Sequence, residues 1–444
     1  MSDLTSITNK SLRRLLQLDE PVQILTSAEA EAARDRDFSW NLFFNSFDVV
    51  LFMGGISLLS ATTILPLFVS KLSDSTIPLA IVAMLAQGGF FLPQLLTANF
   101  IERLDRKKPM VVNIGFLTER LPAILLLAAP LLAVRSPLLA LIAFLVLYGW
   151  FTLGGGLIAA AWQDLIARCF PVTRRGRFFG GNLFIGTLLG VGLASIAGTI
   201  LESVAFPINF VYVFGIASTG IVVSWIFVAQ TREPVEASTV PYRSNRQYLA
   251  ELPKVIQADD NFRSFLLARF ILALGEMGSG FLTVAAIQTW SIADGMVATF
   301  TTVSLIGQTM GSLLMGFLAD RYGHRLSLEI STGTAVIAFL IAWLAPTPNY
   351  YLAVFFCLGF YTGARIVSGM LVVIEFCRPE KRPTYVGVAN TLAGIGSVIA
   401  PIIGASLVKL TFSWVFVGSV IANLIALLMF RFWVKEPRFT LAET

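Results

Sequence analysis

The chain has 444 residues, 56% hydrophobic and only 13% charged, with a mean hydropathy of +0.77 and a formal net charge of +5. A soluble globular chain carries roughly a quarter charged residues, so a soluble enzyme, a disordered protein and a secreted disulfide scaffold are excluded. Three cysteines (Cys169, Cys357, Cys377) with no CxxC, and the single His324, exclude a disulfide framework and a multi-histidine metal site.

Residues 1–39 are polar and charged and lack the apolar core of a cleavable signal. Leu12, Leu15 and Leu16 beside Arg13 and Arg14 suit a short amphipathic helix on a membrane surface, a partner-binding tail or plain disorder. From Trp40 onward, apolar runs of about 20 residues or more, enough to cross a bilayer as helix, recur twelve times. They lie near 41–70, 76–99, 110–133, 137–166, 178–201, 207–230, 264–290, 296–318, 326–346, 349–376, 385–408 and 412–434. Strands of a membrane barrel would alternate over about ten residues, and these runs do not. The fold class is an all-α membrane protein.

Basic residues set the orientation. Alternate connections, with the two tails, collect 26 of the 32 Lys and Arg; the opposite side receives Lys71, Arg135 and Lys409, and Arg120, Arg269 and Arg365 stay inside spans. By the positive-inside rule both termini are cytoplasmic. The basic excess is therefore topological and no nucleic-acid partner is expected. The longest polar stretch, 231–263, divides the chain into an N-terminal bundle (40–230) and a C-terminal bundle (264–434), flanked by cytoplasmic tails 1–39 and 435–444.

The two bundles echo each other. Cys169, Pro171, Arg174 and Asn182 recur as Cys377, Pro379, Arg382 and Asn390, all at an offset of 208 and in equivalent connections. After the eighth span stands Gly316-Phe-Leu-Ala-Asp320-Arg321-Tyr-Gly323-His324-Arg325. Its counterpart after the second span is Ala98-Asn-Phe-Ile-Glu102-Arg103-Leu-Asp105-Arg106-Lys107, in which Ala98, Glu102 and Asp105 replace the first glycine, the aspartate and the second glycine. The later copy resembles the loop signature of the major facilitator superfamily, Gly-x-x-x-Asp-Arg-x-Gly-Arg-Arg. With twelve spans and a central loop, the resemblance covers 40–434.

The resemblance implies two pseudo-symmetric six-helix bundles, a central cavity lined by spans one, four, seven and ten, and alternating access. It also implies a cytoplasmic latch between the halves, built from Gly316, Asp320, Arg321, Gly323, Arg325, Glu102, Arg103 and Arg106, with acid–arginine pairs among Asp164, Arg174, Glu375 and Arg382. Physically, small Gly316 would let its span approach a neighbour closely, and Asp320 could face a helix N-terminus.

Ionised side chains at mid-membrane cost roughly 2.5–3.5 kcal/mol by the milder scales and need a partner or a wet cavity. Arg365 lies about 24 Å below the outer start of its span and about 16 Å from its inner end, and shares a face with Tyr361 and Ser368 by i, i+4, i+7 spacing. It is the candidate to hold an anionic group of a substrate or a carboxylate of the other half; a structural ion pair is the alternative. Glu276, Arg269 and Thr283 recur at seven-residue spacing on one face of span seven. Glu276 is the candidate proton carrier, and Asp48 with Arg269 a candidate gate pair across the halves. Adjacent Glu119 and Arg120 point about 100° apart on an α-helix and are not expected to pair with each other.

Proton-coupled drug exporters of the resembled family carry a glycine run in span five ending Gly-Pro. Here it reads Gly186-Thr-Leu-Leu-Gly190-Val191-Gly192, with Val191 in the proline position, which weakens that label. Walker, CxxCH, HExxH and GxSxG motifs do not occur. The expectation is a monomeric secondary transporter of a small organic solute in the cytoplasmic membrane. Lipids and protons are its expected partners, with no cofactor and no metal. A drug or lipophile exporter and a non-transporting receptor or scaffold are the alternatives.

Overall fold

The computed structural model describes residues 10–236, 256–257, 259–377 and 382–437. Most of the expected central loop, the connection around Arg378, the end of the C-terminal tail and the side chain of Arg382 lie outside them.

Two short helices precede the spans, α1 (Lys10–Leu15) and α2 (Ser27–Arg36). The first span is α3 (Phe38–Ser57) continued by α4 (Ile64–Ser70) after a break. The break falls in a run of small hydroxyl residues that bond locally: Thr63 Oγ1 donates to Ser60 Oγ at 2.7 Å, and Ser57 Oγ to the Gly54 carbonyl at 2.6 Å. Eleven further helices among the described residues are long and apolar enough to cross a membrane. They are α5 (Thr76–Glu102), α6 (Met110–Ala133), α7 (Pro137–Cys169), α8 (Val172–Ser203), α9 (Ile208–Val228), α10 (Asp260–Trp290), α11 (Asp294–Tyr322), α12 (His324–Leu344), α13 (Tyr350–Ile374), α14 (Arg382–Val408) and α15 (Phe412–Phe432). In lipid a helix satisfies its own backbone; the spans match the sequence expectation to within a few residues at most ends.

Two spans change winding midway. α6 is wound as π-helix over Met110–Ile114 and Phe116–Arg120 before becoming α-helical. α10 tightens to 3₁₀ over Glu276–Phe281. Both changes fall at charged side chains, Glu119 and Arg120 buried and Glu276 partly so.

Glycine sets the closest approaches. α11 and α13 interlock through Gly307 and Gly311 on one and Gly359 and Gly363 on the other; an added methyl at any of the four would collide with backbone of the facing helix. Close backbone approach through small residues is the usual means of binding helices in lipid. Gly316, expected to serve the same end, does not: a methyl there would meet only Val367 Cγ1 at 3.8 Å, an ordinary contact.

The halves meet through α5 against α14 and α8 against α11. Each helix of the first pair carries an internal proline, Pro93 and Pro401. Among the described residues, buried apolar side chains form three clusters. The largest runs through both halves, from Phe68, Phe144 and Phe214 to Phe300, Phe339 and Phe355, at the end away from the basic loops. The other two lie nearer the basic end, and each belongs to one half: Phe265, Phe376 and Phe430 in the C-terminal one, Leu104, Ile166 and Phe170 in the N-terminal one. One continuous core joins the halves at the end away from the basic loops, and separate cores stand at the basic end.

The N-terminal tail packs on protein. Leu16 is buried in the N-terminal cluster with Leu104, Met110 and Phe170, and Asn113 Nδ2 donates to the Leu15 carbonyl at 2.7 Å. α2 starts with a capping box between Thr26 and Glu29. Before it, Leu25 bridges in parallel to Glu236, and Arg34 pairs with Glu236 at 2.5 Å.

Candidate functional site

Three of the expected residues converge. Arg365, about 22 Å along α13 from Tyr350, places Nη1 3.0 Å from Glu276 Oε1, and the Tyr361 hydroxyl donates to the same oxygen at 2.7 Å. Tyr361 and Arg365 reach it together because they stand one turn apart. The Arg365 and Glu276 side chains keep 23% and 19% of their surface. That surface faces a cavity of about 110 Å³ to which α5 contributes Ala83, Ala86 and Gln87, α10 contributes Ala273 and Ser279, and α14 contributes Ser397 and Pro401. Thr62, from the break in the first span, completes it from the N-terminal half.

Thr283 and Ser368 do not join them. Six residues of 3₁₀ turn at about 120° each instead of 100°, so the face that carries Glu276 has rotated away before Thr283. Thr283 is fully buried and donates to the Thr62 carbonyl at 2.6 Å. Ser368, a turn deeper than Arg365, donates to Ser327 of α12 at 2.7 Å.

Arg269 neither pairs with Asp48 nor reaches Glu276. Its guanidinium donates to the Gly369 carbonyl at 3.0 Å and to Asn390 Oδ1 at 3.1 Å, and Asn390 Nδ2 in turn lies 3.4 Å from Gln94 Oε1 of the other half. Asp48 is buried and accepts from Trp162 Nε1 at 3.1 Å, with Arg120 as its charged neighbour. The expected gate pair across the halves is therefore absent among the described residues. Glu119 and Arg120, not expected to pair, do so. π-winding bonds i to i+5, so successive side chains diverge less than on an α-helix, and Arg120 also lies over the Phe52 ring at 5.5 Å.

Contacts between the halves gather at the end away from the basic loops. Thr301 Oγ1 donates to Thr63 Oγ1 at 2.7 Å, Lys71 Nζ stands 2.8 Å from Asp294 Oδ1, and Glu202 packs on Gly295. At the basic end the expected latch residues show bonds inside one half. Arg103 donates to the Asn99 carbonyl at 3.0 Å, Arg106 stands 3.6 Å from Glu20, and Asp164 takes Lys107 at 3.3 Å and Arg168 at 3.6 Å. Burial pulls the Lys107 ammonium below the ordinary lysine range. Arg174 lies over Phe38 at 4.5 Å, and Glu102 ends α5.

In the C-terminal half Arg325 donates to Glu329 at 2.7 Å and to the Phe430 carbonyl at 2.9 Å, and its backbone amide to Glu436 at 2.9 Å. Glu375 stands 3.8 Å from His324, and Arg321 lies 5.4 Å from the Tyr322 ring centroid. Gly323 has φ +94°, a conformation that favours glycine, and a side chain there would strike Glu436. Asp320 is exposed near the end of α11. Sequence reasoning missed Trp162 and Asn390 as partners, Gln87 in the cavity wall, and the seal at the end away from the basic loops; Lys71, one of three basic residues on that side, was its available signal.

The sequence model of the Major Facilitator Superfamily matches residues 265–443. A Bacillus subtilis (strain 168) protein, "Uncharacterized MFS-type transporter YfkF", is 26% identical over 166 residues, covering 34% of this chain and 41% of its own length. The Arabidopsis thaliana "Organic cation/carnitine transporter 7" is 25% identical over 177 residues, covering 38% and 34%. The matches thus span about two fifths or less of these relatives. The crystal structure of FucP in the outward conformation has a TM-score of 0.61 at 14% identity, covering 89% of this chain and 98% of that one; at that identity the likeness is one of fold.

Proposed function

The chain belongs to the major facilitator superfamily, and on that premise we propose that it carries a small organic solute across the cytoplasmic membrane by alternating access, driven by a proton gradient. One observation carries the reading: the Arg365–Glu276 pair at mid-helix depth faces a cavity to which both halves contribute. An ion pair in that position is retained against the cost of burying charge, and a solute-exchanging site is a reason to retain it. The cavity, about 110 Å³, falls well under the roughly 300–1,000 Å³ that hold drug-sized molecules, which favours a small solute over a bulky lipophile.

With both termini cytoplasmic, as the basic residues argue, the outer seal faces the exterior and the molecule is in an inward-facing state. A proton arriving on Glu276 would release Arg365, and solute and proton then share one switch. The signature at 316–325 acts as a latch in the opposite state, when the basic ends approach. The working unit is a monomer in contact with lipid.

The test is reconstitution of the full chain into liposomes loaded with a mixture of small metabolites, followed by mass spectrometry with and without a pH gradient. At least one solute should move only when the protein is present and accumulate only with the gradient. Glu276→Gln should lose accumulation and keep exchange. No protein-dependent movement would overturn transport; movement indifferent to pH would remove the proton.

A further inference from the structure

We propose that the solute is a small hydroxylated monocarboxylate, seated with its acidic group on Arg365; this rests on the transport reading and adds the charge and chemistry of what is carried. Among the described residues, two guanidinia, Arg269 and Arg365, and one carboxylate, Glu276, stand at this level of the C-terminal half. Arg365 has Glu276 at 3.0 Å. Arg269 has the Gly369 carbonyl and the Asn390 side-chain oxygen, both neutral. Gly369 is one turn from Arg365 on α13, so the two cations bracket the same stretch of helix and Arg365 is a charged neighbour of Arg269.

Neutral oxygens solvate a guanidinium but do not cancel its charge, so the cluster holds one uncompensated positive charge. A guanidinium does not shed its proton to escape this. A solute with one negative charge brings the sum to zero; a neutral solute or a zwitterion leaves it at one, and a cation raises it to two. The N-terminal half has the opposite count, Asp48 and Glu119 against Arg120, but these side chains are sealed in protein and none of them lines the cavity.

Geometry and lining agree with the count. Arg365 spends one nitrogen on Glu276, and its planar fork has further donors that suit a carboxylate bidentately. The neutral polar wall is rich in hydroxyls, from Thr62, Ser279, Ser304, Thr362 and Ser397, which can exchange hydrogen bonds with hydroxyls of a solute. The chain has 36 Phe and none lines this cavity, so an aromatic body would find no ring of that kind to stack on. Alanines 83, 86, 273 and 400 keep the walls smooth, and about 110 Å³ limits the solute to a few carbons.

The test uses the purified full chain and thermal-shift titrations with four probe sets: glycolate, lactate and glycerate; glycerol and erythritol; serine; and ethanolamine. One or more of the acids should raise the melting temperature saturably, and the other sets should not. Arg269→Gln removes the uncompensated charge yet can still donate to the Gly369 carbonyl; it should weaken the acid at least tenfold. Arg365→Lys should weaken it similarly by losing the fork, and Glu276→Gln, which removes the competing carboxylate, should tighten it. The proposal is overturned if a polyol, serine or ethanolamine binds as well as the acids, if no probe binds, or if folded Arg269→Gln keeps wild-type affinity. Such a result together with intact protein-dependent flux sinks the charge assignment alone; loss of all flux in liposomes sinks the transport reading itself.

Discussion

Asp48 takes its hydrogen bond from the indole of Trp162, 3.1 Å away on α7, so the carboxylate expected to reach across the halves is held inside its own. The arrangement makes Asp48 part of the rigid body of the N-terminal bundle. Trp162→Phe removes the donor and leaves a buried acceptor short of a partner, which costs about 1–3 kcal/mol. The melting temperature in detergent should fall accordingly, and Asp48→Asn in the same background should recover part of the loss. An unchanged melting temperature in Trp162→Phe would show that the bond contributes nothing.

The glycines of α11 separate by position. Gly311→Ala drives a methyl into the Phe360 carbonyl, with no flexible side chain there to yield, and should abolish folded protein on size exclusion. Gly316→Ala meets only Val367 Cγ1 at 3.8 Å and should fold normally. Equal behaviour of the two variants would contradict the packing described.

The outer seal is testable through Lys71 and Asp294. Reversing either charge alone should favour opening of that end, by about 1 kcal/mol or less for a partly exposed pair, while the double reversal restores closure. Labelling of a cysteine introduced at Ala61, beside Thr62, whose carbonyl accepts from Thr283 across the halves, by a membrane-impermeant reagent would report it. Labelling should rise a few-fold in the single variants and return to the starting level in the swap.

Asp320→Asn addresses the signature at the basic end. If that segment holds the opposite state closed, the variant should move solute several-fold more slowly while its affinity stays as in the wild type, because the residue biases conformations without touching solute. A reconstituted flux assay beside a binding titration separates the two; full-speed flux removes the latch role.

The spans were legible because each had to be long and apolar, and the side of the basic loops followed from counting. Depth alone singled out Arg365, and helical spacing alone brought Tyr361 with it. What failed was the extension of an ideal helix through irregular winding. The 3₁₀ turn after Glu276 sent Thr283 elsewhere, and the π-turns of α6 let Glu119 and Arg120 meet. Pro122 just past the π-turns and Gly278 and Gly280 within the 3₁₀ turn mark where winding could change, but not which way it would turn the side chains. Partners such as Trp162 for Asp48 and Asn390 for Arg269 lie 114 and 121 residues away, beyond the reach of any local pattern.

The strand-like bridge between Leu25 and Glu236 has an implication for how the molecule could be divided. Leu25 N donates to the Val235 carbonyl at 2.9 Å, Trp40 and Asn41 reach the carbonyls of Gln230 and Arg232, and Arg34 closes on Glu236. The beginning and the end of the first bundle are thus buckled together, like a belt fastened around six helices, before the chain leaves for the second. Such a belt needs nothing beyond residue 236 to stay fastened. A polypeptide ending there should insert and hold its shape when made separately from one starting at 256, and the two pieces, expressed in the same cell, should find each other and copurify.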